Sequence, residues 1–228
     1  MNGAEDNRAD RPGGGLRCEL VSWAEVHRLC RRLAARVRDS GFRPELIVAI
    51  GRGGYIPARL LCDFLHLMGL AGVKVEHYTQ GARREAHARV RYPLGIEIQG
   101  MRVLVVDDVN DSGDTFDAVL AYLRSLQPRE LRTAVMDDKA VSRFRVDYRA
   151  RRIVKWRWLI YPWARIEDIT GFIQTMDPPP ASRDEAARRL ARDYGIRVPA
   201  KTLTDVYDFM ALAPHALAGA GEHEEDRS

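Results

Sequence analysis

The feature that most constrains the fold is a short apolar run that ends in two adjacent acids. Residues 101–108 read MRVLVVDD. A continuous apolar run of this length is typical of a strand buried on both faces, as in a parallel sheet. Parallel strands need long crossover connections, which are usually helices. The run therefore predicts an α/β domain.

The rest of the chain contains the alternating helices and strands that such a domain requires. Helices are predicted where apolar residues recur with helical spacing, at 22–41, 57–67 and 115–126. Ser22 and Glu25 have the spacing of a capping box. Further strands are predicted at 46–50, 73–78, 102–107, 133–137 and 153–158, with a turn at 108–114. The pattern predicts a mostly parallel central sheet flanked by helices, with ligands at the carboxyl ends of the strands.

Composition divides the chain into three parts. Residues 1–16 are polar and include a glycine triplet, which predicts a disordered arm. Residues 17–176 are expected to form the main domain, including a cap over the ligand site. After three prolines, residues 177–228 are expected to form a helical appendage and a polar tail, with helices at 183–194 and 201–212.

Charge and cysteine content exclude several classes of protein. The net charge of +4 and the pI of about 9.1 suit phosphate-rich ligands but are too weak to indicate nucleic-acid binding, so nucleic acid is not an expected partner. The three cysteines include no CxxC pair, so neither a disulfide framework nor a zinc site is indicated. The sequence contains neither a secretory signal nor an apolar run of membrane-spanning length. The expected location is the cytoplasm, without a membrane partner.

The loop after the apolar run carries most of the chemistry. Asp107 and Asp108 end the strand, Asp111 follows, and Ser112-Gly113-Asp114-Thr115 opens the next helix. Carboxylates accept hydrogen bonds from a ribose diol, and the amides of a helix start bind phosphate. The alternative is an ordinary strand end and helix cap, but two adjacent like charges are costly without a ligand or a cation. The loop predicts a sugar-phosphate site.

This loop resembles the phosphoribosyl pyrophosphate signature of type I phosphoribosyltransferases. The resemblance implies that Asp107 and Asp108 bind the ribose hydroxyls and that the loop beginning at Asp111 cradles the 5′-phosphate. It gives Asp111 the role of general base or of partner to the purine N7. Asp114 fills a variable position, where its side chain has to point away from the phosphate. Mg²⁺ is the implied cofactor, with Asp108 as the expected protein ligand.

A glycine-rich turn follows the strand at 46–50. Gly51-Arg52-Gly53-Gly54 can wrap backbone amides around an anion, and Arg52 adds charge. The turn resembles the pyrophosphate loop of the same family, which often carries a cis peptide. Glycines in a tight turn are more often structural, so the prediction depends on the acidic loop beside it.

A third element resembles the base site of the 6-oxopurine branch of this family. There a lysine binds the purine O6 and an aromatic residue stacks on the ring, which assigns base binding to Lys139, Trp158 and the adjacent Leu159. The alternative is a surface lysine and a core or interface aromatic. Ala164 follows Pro-Trp, where the branch often has aspartate, so selectivity at purine C2 is open.

An arginine-rich segment, 80–91, stands in the place of the family's mobile loop. Arg83 and Arg84 are its candidate pyrophosphate ligands, although the segment could equally be a solvated hairpin tip.

Together these residues predict a purine phosphoribosyltransferase in purine salvage. It would join hypoxanthine, guanine or xanthine to phosphoribosyl pyrophosphate, release pyrophosphate, and act as a homodimer or homotetramer. A phosphoribosyltransferase for another base, such as a pyrimidine, is an alternative. So is a non-catalytic regulator that binds nucleic acid through arginines of the C-terminal helices, which are Arg188, Arg189, Arg192 and Arg197.

Overall fold

A computed structural model describes residues 16–79 and 86–210. The strands are β1 Cys18–Leu20, β2 Leu46–Gly51, β3 Leu70–Thr79, β4 Ala86–Tyr92, β5 Arg102–Asn110, β6 Glu130–Lys139, β7 Tyr148–Ile153 and β8 Trp158–Ile160. The helices are α1 Trp23–Asp39, α2 Tyr55–Leu65, α3 Asp114–Ser125, α4 Arg165–Gln174, α5 Arg183–Arg189 and α6 Ala200–Met210. A π-helical segment, Leu190–Tyr194, continues α5. Contacts divide the described chain into a unit of residues 23–156 and a unit of residues 16–22 and 157–210.

The first unit is built on a six-stranded sheet of order β4-β3-β2-β5-β6-β7. All neighbouring strands are parallel except β3 and β4. The α/β class and the mostly parallel sheet are thus confirmed. Val106 in β5 lies opposite Ala49 in β2 and Ala134 in β6. The carboxyl ends of these three strands therefore meet at one edge of the sheet.

Alternation along the central strands supplies apolar side chains to both faces of the sheet. Val48 and Val105 pack with Phe116 and Leu123 of α3 in one cluster. The residues that precede the two valines, Ile47 and Leu104, are also fully buried. Helix α1 packs against α2, β6 and β7. This burial fixes the strand ends from which the site loops emerge.

The second unit contains a two-stranded parallel sheet, in which β1 pairs with β8. Its apolar core joins Ile160 and Ile169 to Leu190, Leu203 and Val206 of the C-terminal segments. Apolar side chains of those C-terminal segments are therefore buried within this unit, although Phe209 stays 54% exposed. The predicted division of the chain at residue 176 stays a prediction.

Two predicted boundaries are wrong. The strand expected at 153–158 is two strands, because β7 ends at Ile153 and β8 begins at Trp158. Between them the chain leaves the sheet, and the Trp156 indole bonds to Asp111. The turn expected at 108–114 begins later, because β5 keeps pairing with β6 as far as Asn110 opposite Asp138. Polar residues hide this extension in the sequence.

Three elements were missed by the sequence analysis: β1, β4 and α4. Of the predicted site residues, Arg83 and Arg84 lie outside the described part of the chain. In the described part, no helix combines the length and the apolar character that crossing a membrane would require.

Candidate active site

The acidic end of β5 has two carboxylates in different environments. Asp107 is buried, and its Oδ1 accepts a hydrogen bond of 2.9 Å from the Asp108 backbone N–H. Burial, and then the adjacent charge of Asp108, raise the pKa of Asp107 well above its ordinary value. Asp108 is only partly buried. Asp108 is therefore the more accessible of the two oxygen donors.

The glycine turn after β2 packs against this acidic strand end. A β-carbon on residue 53 would lie 2.6 Å from Asp108 Oδ1 and closer still to the rest of the carboxylate. A β-carbon on residue 54 would lie 2.7 Å from the Ile50 carbonyl oxygen. The Gly51–Arg52 peptide is cis, as the resemblance implied. Only glycine permits this approach, so the two predicted loops meet.

The loop that begins at Asp111 is fixed by contacts from residues 142–144. Gly113 has a φ of 101°, and a β-carbon there would lie 2.5 Å from Phe144 Cβ, so glycine is required. The Arg143 backbone N–H donates to the Ser112 carbonyl oxygen at 3.1 Å. The loop is therefore held before any ligand arrives.

The side chain of Asp114 is engaged on the protein. Its Oδ1 lies 2.5 Å from the Arg143 guanidinium, and its Oδ2 accepts from the Ser112 hydroxyl at 2.8 Å. These contacts neutralise the charge that would oppose a phosphate on the loop. They also engage the Ser112 hydroxyl.

Asp111 is bound by one residue at the end of β6 and by one residue of the segment between β7 and β8. Lys139 Nζ lies 2.7 Å from Asp111 Oδ2, and the Trp156 indole N–H donates to Asp111 Oδ1 at 3.3 Å. The ammonium also lies 4.3 Å from the centroid of the Trp156 ring. Strand register explains the pairing, because Asn110 lies opposite Asp138 immediately before these residues. The structure thus joins two predicted residues and adds Trp156, for which no role in the site was predicted.

The buried side-chain amide of Asn110 supports this arrangement. Asn110 Nδ2 donates to Asp138 Oδ1 at 2.8 Å and to the Phe144 carbonyl oxygen at 3.0 Å. Its Oδ1 accepts from the Ser142 hydroxyl at 2.9 Å. All of these bonds tie the end of β5 to β6 and to the segment that follows it. This role was not predicted, because its only signal in the sequence is a polar residue at the end of an apolar strand.

Two of the predicted base-binding residues belong to the second unit. Trp158 is 40% exposed at the start of β8, while Leu159 is buried at 7% exposure. Their pairing with Lys139 in a base site stays a prediction.

The donor set fits Mg²⁺ in the manner expected for a phosphate-bound ion. Mg²⁺ prefers oxygen ligands and is commonly held by one or two carboxylates together with substrate phosphates and water. Asp108 supplies such a carboxylate beside the glycine turn. In residues 16–79 and 86–210, no group of three or more His, Cys, Asp or Glu side chains could hold a metal by itself. The substrate would therefore have to bring most of the ligands.

Comparison with known proteins identifies the family. The phosphoribosyl transferase domain family matches residues 19–164, which is more than half of the chain. The protein belongs to this phosphoribosyl transferase family.

Named relatives and a solved structure agree with that assignment. The chain is 31% identical over 153 residues to a xanthine-guanine phosphoribosyltransferase of a Ruegeria species, covering 63% of this chain and 83% of the relative. It is 24% identical over 189 residues to the hypoxanthine-guanine phosphoribosyltransferase of Saccharomyces cerevisiae, covering 64% and 85%. A purine phosphoribosyltransferase structure from Pyrococcus horikoshii has a TM-score of 0.58 at 28% identity, covering 65% of this chain and 94% of that chain.

Proposed function

We propose that the protein transfers a phosphoribosyl group from phosphoribosyl pyrophosphate to a 6-oxopurine and releases pyrophosphate. The observation that carries this proposal is the contact of Lys139 with Asp111, beside Asp107, Asp108 and the glycine turn. A buried ammonium and a partly exposed carboxylate match the O6 acceptor and the ring N–H donor of a 6-oxopurine. Adenine would present an amino group to the ammonium, which is a mismatch.

The phosphoribosyl end of the substrate would occupy the acidic strand end and its loops. Asp107 and Asp108 would accept hydrogen bonds from the ribose hydroxyls and stabilise positive charge that develops on the sugar. The amides from Ser112 to Thr115, at the start of α3, would hold the 5′-phosphate. The turn from Gly51 to Gly54, with Arg52, would face the pyrophosphate. These loops fix the C1′ carbon for attack.

The base would be positioned by the other half of the site. Lys139 would donate to O6, and Asp111 would accept the proton or hydrogen bond of a ring nitrogen while N9 attacks C1′. The bond from C1′ to the pyrophosphate oxygen breaks as the bond to N9 forms. The proposed contacts to the base also include Trp158 and Leu159. The proposed contacts to pyrophosphate include Arg83 and Arg84.

Mg²⁺ is the proposed cofactor, with Asp108 as its protein ligand. When bound, it would neutralise the charge of the leaving pyrophosphate. Asp107 would stay a ligand of the sugar, because its carboxyl is buried against its neighbour.

The regulator alternative receives less support from the second unit. Arg189 donates to the carbonyl oxygens of Pro178 and Asp177, and Arg192 pairs with Asp193. Two of the four arginines suggested for nucleic acid are thus engaged within the unit. Purine salvage, a cytoplasmic location and a homodimer or homotetramer stay predictions that accompany the proposed activity.

The experiment is a panel of bases with phosphoribosyl pyrophosphate and Mg²⁺, followed by pyrophosphate appearance. We expect turnover with hypoxanthine, guanine or xanthine, and none with adenine or uracil. The Lys139→Met variant should lose turnover with the preferred purine, whereas Lys201→Met, which alters an exposed lysine of α6, should keep it. Failure of all three 6-oxopurines would overturn the proposal. So would full activity in a folded Asp107→Asn, Asp108→Asn variant.

A further inference from the structure

Resting on the proposed function, we infer that Trp156 is a positioning residue that holds Asp111 in place when the incoming purine draws Lys139 away from it. The assignment comes from three contacts within the first unit. The indole N–H bonds to Asp111 Oδ1, the ammonium bonds to Asp111 Oδ2, and the ammonium lies over the indole ring. Each of the three groups therefore touches the other two.

Burial explains why the lysine cannot stand alone here. The Lys139 side chain is 4% exposed, whereas the Asp111 side chain is 46% exposed. A buried ammonium needs a counter-charge or a ligand acceptor, while a half-exposed carboxylate is reachable from solvent. Without a base, Asp111 and the face of Trp156 supply that compensation. With a base, the purine O6 takes over as acceptor, and the ammonium leaves Asp111 Oδ2.

That exchange would release the carboxylate if the ammonium were its only partner. Asp111 follows the last residue of β5, and the turn after it carries no further strand pairing. The indole N–H holds the second oxygen, so Oδ2 becomes free while Oδ1 stays bound. The two oxygens of Asp111 thus have different tasks: Oδ1 is the anchor, and Oδ2 faces the ring nitrogen of the purine.

A purely apolar role for Trp156 does not account for its orientation. Its side chain is only partly buried. The polar edge of the ring points at a carboxylate, and the face of the ring points at a cation. Both contacts are electrostatic, and both involve residues assigned to the base.

The test separates the indole N–H from the ring. Trp156→Phe keeps an aromatic face for Lys139 but removes the donor to Asp111. We expect kcat to fall about tenfold, the scale of one hydrogen bond to a charged group, with the KM for phosphoribosyl pyrophosphate unchanged. Trp156→Leu removes the face as well and should in addition raise the KM for the purine. Trp23→Phe, at an exposed tryptophan of α1, is the matched control and should leave both constants unchanged.

A second readout does not depend on turnover. The four tryptophans give four indole N–H signals in a nitrogen–proton correlation spectrum, and Trp156→Phe identifies the signal of Trp156. Asp111→Ala should shift that signal and leave the Trp23 signal in place. An unmoved Trp156 signal would overturn the inference even if the enzyme is active.

The outcomes distinguish the inference from the proposed function. If the unaltered protein releases pyrophosphate and Trp156→Phe keeps its full kcat, the positioning role is overturned and the proposed function stands. If the unaltered protein turns over no 6-oxopurine, the proposed function is overturned and the reaction role of Trp156 with it.

Discussion

The carboxylate of Asp108 occupies the space in which a β-carbon on residue 53 would lie. Such a carbon on Gly53 would be 2.6 Å from Asp108 Oδ1 and closer to the other carboxylate atoms. Real β-carbons essentially never approach other heavy atoms so closely. The glycine turn and the acidic strand end are therefore fitted to each other, which ties two separate sequence motifs to one site.

Gly53→Ala should displace the Asp108 carboxylate and weaken phosphoribosyl pyrophosphate binding. We expect the KM for this substrate to rise about tenfold, the scale of one lost charged hydrogen bond, because Asp108 is the proposed sugar and Mg²⁺ ligand. Gly95→Ala is the matched control, since a β-carbon there meets nothing within 4 Å. Steady-state kinetics of both variants measure the effect. An unchanged KM in Gly53→Ala would contradict the assignment of Asp108.

Arg143→Ala should weaken the phosphate loop by removing the guanidinium that pairs with Asp114. The Asp114 carboxylate would keep its charge beside the proposed 5′-phosphate site, and we expect the KM for phosphoribosyl pyrophosphate to rise roughly fivefold. Adding Asp114→Asn to this variant should restore most of the affinity, because the repulsive charge is removed. Arg145→Ala, at an exposed arginine of the same segment, is the control. Equal KM values for phosphoribosyl pyrophosphate in Arg143→Ala and Arg145→Ala would refute this interpretation.

Removing Arg151 should destabilise the fold strongly. Asp137 is fully buried, and its Oδ1 lies 2.5 Å from Arg151 Nε. Breaking a buried ion pair by removing one partner costs about 3–5 kcal/mol, because the remaining charge is uncompensated. Arg151→Met should lose stability on this scale in urea unfolding, and Asp137→Leu added to it should recover much of the loss. Arg192→Met, in an exposed pair, should unfold like the unaltered protein.

Cys30 should make the protein less stable at alkaline pH. Burial, and then the charge of Asp137, raise the pKa of the Cys30 thiol from its ordinary 9.0 to about 12. The unfolded chain loses this proton near pH 9, whereas the folded chain keeps it to about pH 12. The stabilisation of the folded state that comes from the neutral Cys30 thiol is thus complete below pH 9 and is lost as the pH rises towards 12. Urea midpoints at about pH 8 and about pH 10.5 should differ more for the unaltered protein than for Cys30→Ala.

The parts of the fold that could be predicted from sequence were those with a strong local signal. The apolar runs before Gly51 and Asp107 predicted strands that are buried on both faces. Both runs are strands in the structure. Strand β4 was not predicted because its residues, 86–92, are mostly polar and it lies at the edge of the sheet. Strand β1 escaped because it has only three residues. Neither carries a pattern that separates it from a loop.

The site was predictable in its loops but not in its contacts. Asp111 and Lys139 were singled out for separate roles, and the structure joins them in an ion pair. Their meeting depends on the register of β5 against β6, which only tertiary pairing sets. No role in the site was predicted for Trp156, because nothing in Lys-Trp-Arg-Trp distinguishes the indole that bonds to a carboxylate from its neighbours.

The pairing of β1 with β8 also bears on how the chain folds as it leaves the ribosome. Glu19 forms an ion pair with Arg157, 138 positions later, and their unit also includes α4, α5 and α6. Residues 23–156 can assemble while synthesis is still under way. The short segment before them cannot pair until residues 158–160 have been made, so a chain that stops before β8 would display an unmatched strand.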